Sequence, residues 1–367
     1  MFAPTRRVRR RLPAIAVAAV VSLTSMVSPW FCRAAAADDD ARWGYIDTSG
    51  KFAFEQRFED AGSFSDGLAA VKVGSRWGFV DKTGTLVVKA VYDRVQPFSE
   101  KVAAVKTPSN PGEGEDVSAG EAGKWGYINT EGRFVIKPQF EDAEPFSDGL
   151  AAVKSESDRR WRFVDHDGKV AFDKSFPMVS RFGNGLAAVL PSMPFMLSIR
   201  SSAYSAPDEQ WVYIDKSGKQ ALTPGFSEHI PFSDGLAAVS LGPWQDYRGR
   251  WTFMNTKGRL TMKPQFSRVY GFSEGLAAVQ FGRWQQLGQG IRSWIQLKWG
   301  YIDKKGKTVI ASRFDAADPF SDGLASVLVD GKWGYIDRSG SMVIEPQFEA
   351  SGTFSSGLAP VRTSADK

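Results

Sequence analysis

One motif is written eight times along this 367-residue chain, with no insertion or deletion inside any copy. Each copy opens at a Trp and closes 28 residues later at a Val, in a segment that resembles Leu-Ala-Ala-Val. A fixed unit of 29 residues cannot bury a core of its own, so neighbouring units must stack and share one. The repeat therefore overrides the two or three ordinary domains that the length alone suggests. The units span residues 43–71, 77–105, 125–153, 161–189, 211–239, 251–279, 299–327 and 333–361.

The signals within a unit predict short strands and tight turns. The opening Trp-Gly-Tyr-Ile-Asp is aromatic and β-branched, which favours a strand. An Asp/Asn-x-x-Gly turn follows in every unit, for example Asp47–Gly50, and a bulged type I hairpin is expected there. A second strand then runs to a Pro in four units (Pro138, Pro224, Pro264 and Pro346), where we expect it to end. Two Phe or Tyr positions and a Ser-Asp-Gly turn lead into the Leu-Ala-Ala-Val strand, which makes about three strands per unit.

The repeats resemble the bacterial WG (KWG) repeat family. The match rests on Lys-Trp-Gly-Tyr-Ile-Asp, Val-Ile-x-Pro-x-Phe and Phe-Ser-Asp-Gly-Leu-Ala-x-Val, which are clearest in residues 124–153, 298–327 and 332–361. Arg162, Val212 and Thr252 replace the Gly after Trp, and Lys101 replaces the Gly of one Ser-Asp-Gly turn. The resemblance implies a β-rich repeat protein with a binding role or no assigned role, and it implies no catalytic residues.

The expected architecture is all-β, with eight three-stranded units. The short pitch of the repeat favours an open, solenoid-like superhelix. A closed, propeller-like ring of eight units is the alternative, and the absence of obvious capping units favours it. The recurring Trp and Phe positions are expected to form the core.

Residues 1–37 have the features of a helical secretory signal peptide. Five arginines between positions 6 and 11 precede an apolar run from Leu12 to about Val27, and small residues follow at 34–37. An uncleaved anchor and lipid attachment at Cys32 are weaker alternatives. The chain has 46 Lys+Arg and 41 Asp+Glu, and six of its arginines lie in residues 1–37, so residues 38–367 carry 40 basic and 41 acidic side chains. We therefore expect an exported, periplasmic or extracellular protein that neither binds nucleic acid nor stays inserted in a membrane.

Enzyme chemistry finds little support in the residues. One Cys and two His argue against a multi-Cys metal site and a His-based catalytic triad, and no phosphate-binding loop or other cofactor motif is present. The acidic groups Glu59/Asp60/Asp66, Glu141/Asp142/Asp148 and Asp315/Asp318/Asp322 recur between units, so we interpret them as solvated surface and not as a catalytic pair. His229 is assigned to a loop, and His166 to an exposed turn.

The linkers between units vary from 5 to 21 residues and all fall at one junction, so the insertions should lie on one side of the molecule. The linker 106–124 has a disorder-prone composition, whereas 190–210 is apolar and could fold back onto the array. Three Trp residues outside the repeat register, with nearby Tyr and Arg, are suited to interfaces, although the same loops could simply cover a sheet edge. The predicted ligand-binding residues are Trp244, Tyr247, Arg248, Trp284, Arg292 and Trp294.

These features predict a non-enzymatic binding or scaffold module for a protein or an envelope glycan. The alternatives are a hydrolase of envelope polymers and a purely structural surface protein.

Overall fold

A computed structural model describes residues 42–110, 121–191, 211–226, 228–241, 251–288 and 291–363. The predicted signal peptide lies outside these residues. All regular structure in the described part of the chain is β-strand, and this part contains no helix that could cross a membrane.

Each unit begins with the predicted strand and turn. We number the strands along the chain and call the first strand of each unit the Trp strand: β1 (Trp43–Asp47), β5 (Arg76–Val80), β9 (Trp125–Asn129), β13 (Trp161–Val164), β16 (Trp211–Asp215), β20 (Trp251–Asn255), β23 (Ile291–Asp303) and β27 (Lys332–Asp337). The Asp47 carbonyl accepts a hydrogen bond from the Gly50 N–H at 2.9 Å, and the Asp47 carboxylate accepts one from the Ser49 N–H at 2.8 Å. The bond from the turn glycine recurs in all eight units, so the predicted turn is confirmed.

The strand after this turn forms the outer edge of a sheet. These outer strands are β2 (Phe52–Phe58), β6 (Leu86–Tyr92), β10 (Phe134–Phe140), β17 (Gln220–Phe226), β24 (Thr308–Phe314) and β28 (Met342–Phe348). The expectation that Pro ends them is wrong for Pro138, Pro224 and Pro346, which lie inside their strands. An edge strand tolerates Pro, because one row of its N–H groups has no ladder partner, and the register shifts beside Pro138 and Pro346 fit this position.

Two further strands complete each unit, so the prediction of three strands is also wrong. The inner strands are β3 (Asp60–Ser65), β7 (Arg94–Val95), β11 (Asp142–Ala143), β14 (Met178–Val179), β18 (Glu228–Ser233), β21 (Phe266–Val269), β25 (Ala316–Ala317) and β29 (Ala350–Ser351). The closing strands are β4 (Leu68–Val73), β8 (Val102–Lys106), β12 (Ala151–Lys154), β15 (Leu186–Leu190), β19 (Leu236–Ser240), β22 (Leu276–Gly288), β26 (Leu324–Val329) and β30 (Leu358–Arg362). Five inner strands have only two residues, too few to show an alternating pattern in the sequence.

Six of the seven sheets in the described chain combine two neighbouring units, and the seven-stranded sheet β18 to β24 combines three. The inner and closing strands of one unit pair with the Trp and outer strands of the next, as in the antiparallel order β3-β4-β5-β6. The sheet β11-β12-β13 has no regular outer strand, and β21 links β18-β19-β20 to β22-β23-β24. A single repeat unit is therefore never a sheet by itself, which explains why the motif must occur in tandem.

The first strand of the first unit pairs with the last strand of the last unit. β1 is antiparallel to β30, from Trp43 opposite Arg362 to Asp47 opposite Leu358. The open, solenoid-like arrangement is therefore wrong, and the described strands follow the order of the closed, propeller-like alternative. In a closed ring, the first and last units pair with each other, so their strands do not need the capping residues that protect the ends of an open array. The terminal units therefore lack caps.

The core lies between neighbouring sheets. Eight clusters of buried residues are present in the described chain, and each joins two consecutive sheets when the seven-stranded sheet is divided into β18-β19-β20 and β21-β22-β23-β24. One of them packs Ile46 and Ala359 against Tyr335 and Ile344, across the junction between the chain ends. An open stack of eight sheets would have only seven such interfaces. The predicted aromatic core is confirmed, since Trp43 is 3% exposed and Phe64 is fully buried.

The glycine after Trp lets the outer strand approach closely. A Cβ placed on Gly334 would lie 2.6 Å from the carbonyl oxygen of Ile344 and 2.8 Å from the nitrogen of Pro346. The units with Arg162 and Thr252 at this position are the two that lack a regular outer strand. Val212 coexists with the outer strand β17, so glycine favours the paired arrangement without being indispensable to it.

The Ser-Asp-Gly turns bind each sheet to the next. The Asp148 carboxylate accepts a hydrogen bond from the Gly185 N–H at 2.6 Å, and Asp322 accepts one from the Gly357 N–H at 2.7 Å. The same contact recurs at seven junctions in the described chain. Asp322 is exposed, as interpreted from the sequence, whereas Asp66 and Asp148 are half-buried, and all three side chains also hold turns of adjacent sheets together.

Candidate binding face at the linker end of the ring

All linkers leave the ring at the same end. Each one connects the end of a closing strand to the start of the Trp strand that pairs with it, whereas the Asp-x-x-Gly and Ser-Asp-Gly turns lie at the opposite end. We call the first end the linker face. The expectation that insertions lie on one side agrees with this topology.

Among the described residues, the feature that extends furthest along the linker face is a hairpin. The closing strand β22 and the Trp strand β23 each run for 13 residues and remain paired beyond the ring, where Trp284 lies opposite Trp294 and Gln286 lies opposite Arg292. Three predicted binding residues thus share one ribbon. Trp244, Tyr247 and Arg248 lie outside the described residues, as do most of the linkers 106–124 and 190–210.

A second feature is a row of residues that lie on the inner strands or directly after them. Each member lies two positions before the second Phe of its unit, and we call the set the axial row: Gly62, Gln96, Glu144, Ser180, Ile230, Tyr270, Asp318 and Gly352. Six members donate their backbone N–H to the closing strand at the same relative position. Glu144, for example, donates to the Ala152 carbonyl at 2.9 Å.

The axial row faces the centre of the ring. One edge of each sheet in a closed ring must face the axis and the other the rim. The outer strands carry the exposed apolar side chains, among them Val135 and Val343, each 46% exposed, so they form the rim. The inner strands are the opposite edge in the strand order. The axial row therefore lines the middle of the ring.

The two acidic members of the axial row lie on opposite sides of the axis, because Glu144 and Asp318 are four units apart in a ring of eight. Both are anchored in the same way by the preceding sheet. The Tyr127 hydroxyl donates a hydrogen bond to the Glu144 carbonyl, and the Tyr301 hydroxyl donates one to the Asp318 carbonyl, each at 2.8 Å. The backbone at both carboxylic residues is thus fixed from two directions.

The two carboxyls of the axial row, those of Glu144 and Asp318, have raised pKa values. Burial raises the pKa of Glu144 to about 7, with a further contribution from Asp142, against the opposing effect of Arg181. Burial also raises the pKa of Asp318 to about 6, although the Ser326 hydroxyl donates a hydrogen bond to its carboxylate at 2.6 Å. Both side chains are only partly buried. Carboxyls with strongly raised pKa values at partly exposed positions are candidates for a functional site.

Arg181 is the basic partner of this inner edge. It follows the axial residue Ser180, whose hydroxyl accepts a hydrogen bond from the Ala188 N–H at 2.9 Å and donates one to the Arg181 carbonyl at 3.1 Å. Burial lowers the pKa of Arg181, while Glu144 acts to raise it. No ion pair forms between Arg181 and Glu144 among the described contacts, so the two charges interact without touching.

These groups escaped the sequence prediction for a specific reason. The interpretation of Asp60 and Asp142 as solvated is wrong, since burial raises the pKa of both carboxyls. It is wrong for Asp318 as well, whereas Glu141 is exposed as expected. The sequence did contain one signal that could have indicated a functional site. In the axial row, Gly, Gln, Glu, Ser, Ile, Tyr and Asp occur at one position of an otherwise uniform repeat.

His229 is also placed differently from its prediction. It lies in the inner strand β18, is 4% exposed and packs 4.3 Å from the Trp211 ring, so it is not a loop residue. Burial lowers its pKa to about 3, which keeps the imidazole neutral. In the part of the chain with described positions, no group of three His, Cys, Asp or Glu side chains is arranged to hold a metal ion.

Glu144→Gln is expected to raise the melting temperature at pH 8 and to change it little at pH 4. The pKa of Glu144 is higher in the folded state than its ordinary value of 4.5, so folding favours the protonated carboxyl. Its contribution is present below about pH 4.5 and is lost as the pH rises through about 7. Glutamine resembles the protonated form and removes this loss. Circular dichroism melts at pH 4, 6 and 8 measure the effect.

Glu131→Gln is the matched control, because Glu131 is an exposed carboxylate of the opposite face that pairs with Arg133. This control should shift the melting temperature little at any of these pH values. A Glu144→Gln protein that melts at or below the parent temperature at pH 8 would contradict the desolvated state of Glu144.

Comparisons with known proteins agree on the repeats. A family model described as "WG containing repeat" matches eight segments: 43–77, 77–107, 125–157, 161–190, 211–242, 251–282, 299–333 and 333–364. No curated protein matches the sequence.

Solved structures show only distant similarity. A structure titled as that of the eukaryotic initiation factor is 12% identical and has a TM-score of 0.47, with 88% of this chain and 98% of that chain covered. Hsv2 from Kluyveromyces lactis is 8% identical, with a TM-score of 0.41 and coverage of 74% and 89%. Apo AztD from Citrobacter koseri is 12% identical, with a TM-score of 0.34 and coverage of 89% and 99%. At these values the similarity indicates neither a ligand nor an activity.

The eight matched segments extend from residue 43 to residue 364 and coincide with the eight units that build the ring. The chain belongs to the WG-repeat family.

Proposed function

We propose that this chain is an exported, non-enzymatic binding module that holds a protein or an envelope glycan on its linker face. The observation that supports the proposal best is the hairpin β22–β23, which extends the ring on this face and contains three of the predicted binding residues. Trp, Tyr and Arg dominate the energetics of protein interfaces, and aromatic rings also pack on sugar faces. The periplasmic or extracellular location follows from the predicted signal peptide.

A pull-down from envelope extract, with glycan fractions included, tests this proposal. The bait is the exported chain, compared with a triple Trp244→Ala, Trp284→Ala, Trp294→Ala variant whose fold is checked by circular dichroism. The matched control is Thr48→Ala, Thr130→Ala, Thr256→Ala, which alters three Asp-x-x-Gly turns on the opposite face. The parent and the control should capture the same partner, and the triple Trp variant should lose it. Capture that survives in the triple Trp variant, or a parent that captures nothing, would overturn the role of the loops.

Hydrolysis of an envelope polymer is a second candidate, favoured by Glu144 and Asp318. A carboxyl with a pKa of about 7 can serve as a general acid, and a second carboxylate is the usual partner in glycoside hydrolysis. Release of reducing sugar from envelope glycan that disappears in Glu144→Gln would establish this activity. Release that persists in Glu144→Gln, or is absent from the parent, would dismiss it.

A further inference from the structure

The positive charge of the ring is concentrated in three neighbouring units. In every unit, a segment of 12 residues runs from the Asp or Asn of the Asp-x-x-Gly turn to the aromatic residue eleven positions later. In units five, six and seven these segments are 215–226, 255–266 and 303–314, and together they contain nine Lys or Arg and only two Asp. The equivalent segments of the other five units contain nine basic and nine acidic residues. We call the three positive segments the basic arc. The fold does not require its charge, because five units form the same turn without it.

Packing joins the three segments into one surface. The turn of each unit packs against the segment of the unit before it. A Cβ placed on Gly258 would lie 3.3 Å from a methyl carbon of Leu222, and one placed on Gly306 would lie 3.3 Å from the Met262 sulfur. All nine basic side chains of the arc are exposed. The basic arc is therefore a continuous surface along the rim and the turn end of the ring, away from the linker face.

Most cations of the basic arc have no protein partner. Lys304 lies 3.8 Å from the Asp234 carboxylate, and the Arg313 guanidinium donates a hydrogen bond to the Gly340 carbonyl. The other seven form neither an ion pair nor a side-chain hydrogen bond with any residue that the structure describes. A surface with this many unneutralised charges of one sign has a positive potential that concentrates anions beside it.

Cations at the same position elsewhere in the ring have an acidic neighbour. Arg133 follows the turn glycine of unit three and lies 3.2 Å from the Glu131 carboxylate. Lys169 follows the turn glycine of unit four and lies 3.6 Å from the Asp167 carboxylate. In both turns the acid lies two positions before the cation, so the repeat geometry permits charge pairing at this place.

In the basic arc, both positions of this pair are occupied by cations. Lys257 lies two positions before Arg259, and Lys305 lies two positions before Lys307. Like charges at neighbouring positions repel one another, and this repulsion disfavours the folded state until an anion neutralises them. The Asp303 carboxylate is held in its own turn by the backbone N–H groups of Lys305 and Lys307, at 2.9 Å each, and forms no ion pair with their ammonium groups. The turns of units six and seven are therefore the part of the arc that gains most from an anionic ligand.

The composition of the arc defines the kind of anion that fits it. Seven of its nine cations are Lys, which binds as a point charge, whereas bidentate binding of a planar group favours Arg. Its aromatic rings, Phe226, Phe266 and Phe314, are buried, so they offer no stacking surface to the bases of a single-stranded nucleic acid. A flat anionic bilayer laid on the turn end would also meet the exposed acids Glu131 and Asp167. A linear polymer with spaced negative charges can follow the arc and avoid these acids.

We propose that the basic arc binds a linear acidic polysaccharide through ion pairs between its cations and the carboxylates of successive sugar residues. The polymer runs across the turns of units five, six and seven, with Lys257, Arg259, Lys305 and Lys307 at the centre of the contact. Salt weakens this binding, because ion pairs between exposed charges are screened. The surface lies at the opposite end of the ring from the loops of the proposed function, so either site can exist without the other.

Isothermal titration calorimetry on the purified exported protein tests the site. The probe is polygalacturonate, and dextran of similar length is the neutral polysaccharide. Polygalacturonate should bind with a Kd below about 10 μM at low salt, and NaCl at about 0.3 M should weaken the binding by about tenfold or more. Absence of binding at low salt, unchanged affinity at high salt or equal binding of dextran would overturn the proposal. Tighter binding of phosphatidylglycerol vesicles or of double-stranded DNA would overturn the assignment of a polysaccharide as the ligand.

Two variants with the same net charge assign the binding to the arc. The arc variant carries Lys257→Gln, Arg259→Gln, Lys305→Gln and Lys307→Gln. The control removes as many cations from the turns of units one to four, by Lys51→Gln, Lys82→Gln, Arg133→Gln and Lys169→Gln. The arc variant should bind polygalacturonate at least about tenfold more weakly, and the control should stay within about twofold of the parent. With both folds confirmed by their melting temperatures, equal weakening in the two variants or full affinity in the arc variant would contradict the site.

Discussion

Removal of residues 330–367 is expected to abolish cooperative folding. These residues include β27 to β30, and their loss leaves β1 paired with β2 but without its second partner, β30. The cluster that contains Ile46 and Ala359 disappears, and the cluster that contains Trp43 and Leu358 is opened. Because the net stability of a domain is only about 5–15 kcal/mol, the loss of an entire closing sheet exceeds it.

A truncated open array would behave differently, since its stability is approximately a sum over units and their interfaces. Circular dichroism melts and limited proteolysis distinguish the two cases. The matched control is a circular permutant that joins residue 363 to residue 42 through a short Gly/Ser linker and opens the chain between residues 115 and 116. This permutant keeps every strand pair and should melt cooperatively. A truncated protein that melts as sharply as the parent, at a slightly lower temperature, would contradict closure.

Gly334→Ala is expected to destabilise the protein by about 2–3 kcal/mol, the range of overpacking in a close-packed interior. The added Cβ would lie 2.6 Å from the Ile344 carbonyl oxygen, and its three nearest atoms all belong to the backbone of β28, so no flexible side chain can move aside. The outer strand β28 would have to move away from β27, as in the units that carry Arg162 and Thr252. Urea denaturation followed by tryptophan fluorescence measures the change in the free energy of unfolding.

Gly271→Ala is the matched control for this substitution. A Cβ on Gly271 would find its nearest atoms at 3.6 and 3.7 Å, both in side chains, and its backbone is not in the left-handed region. The change should therefore stay within about 0.5 kcal/mol, as at ordinary positions. Equal effects of the two substitutions would show that close approach of the outer strand is not the reason for glycine after Trp.

The local structure of a unit could be predicted because its signals are local. Asp47 and Gly50 specify their turn by their own side-chain and backbone chemistry. Trp43 and Phe64 recur at a fixed pitch, which only a shared core requires. The two-residue inner strand Asp142–Ala143 was missed because two residues show no periodicity. Closure was missed because the contact of β1 with β30 joins the ends of the chain, and the sequence of one unit is the same in an open or a closed array.

The candidate site was missed because acidic groups that recur between units were interpreted as solvated surface. Asp142 and Asp318 belong to recurring acidic groups, but their environment comes from the inner edges of neighbouring sheets. Glu144 carries no motif of its own, and the raised pKa of its carboxyl comes from burial at the inner edge and from Asp142, which the sequence of one unit does not show. Three of the six predicted loop residues fall on one ordered hairpin, and their role in binding stays a prediction.

Formation of a disulfide between positions 63 and 353 tests the closed ring most directly. The Ser63 hydroxyl lies 3.0 Å from the Thr353 hydroxyl although 290 positions separate the two residues. In a Cys32→Ser background no other cysteine remains. The Ser63→Cys, Thr353→Cys protein should therefore oxidise quantitatively to a monomeric disulfide, seen as faster migration in a non-reducing gel. The pair Ser63→Cys, Ser273→Cys, whose members lie in units far apart around the ring, should stay reduced. A closed ring predicts this result, and a 63/353 protein that keeps two free thiols while folded would contradict it.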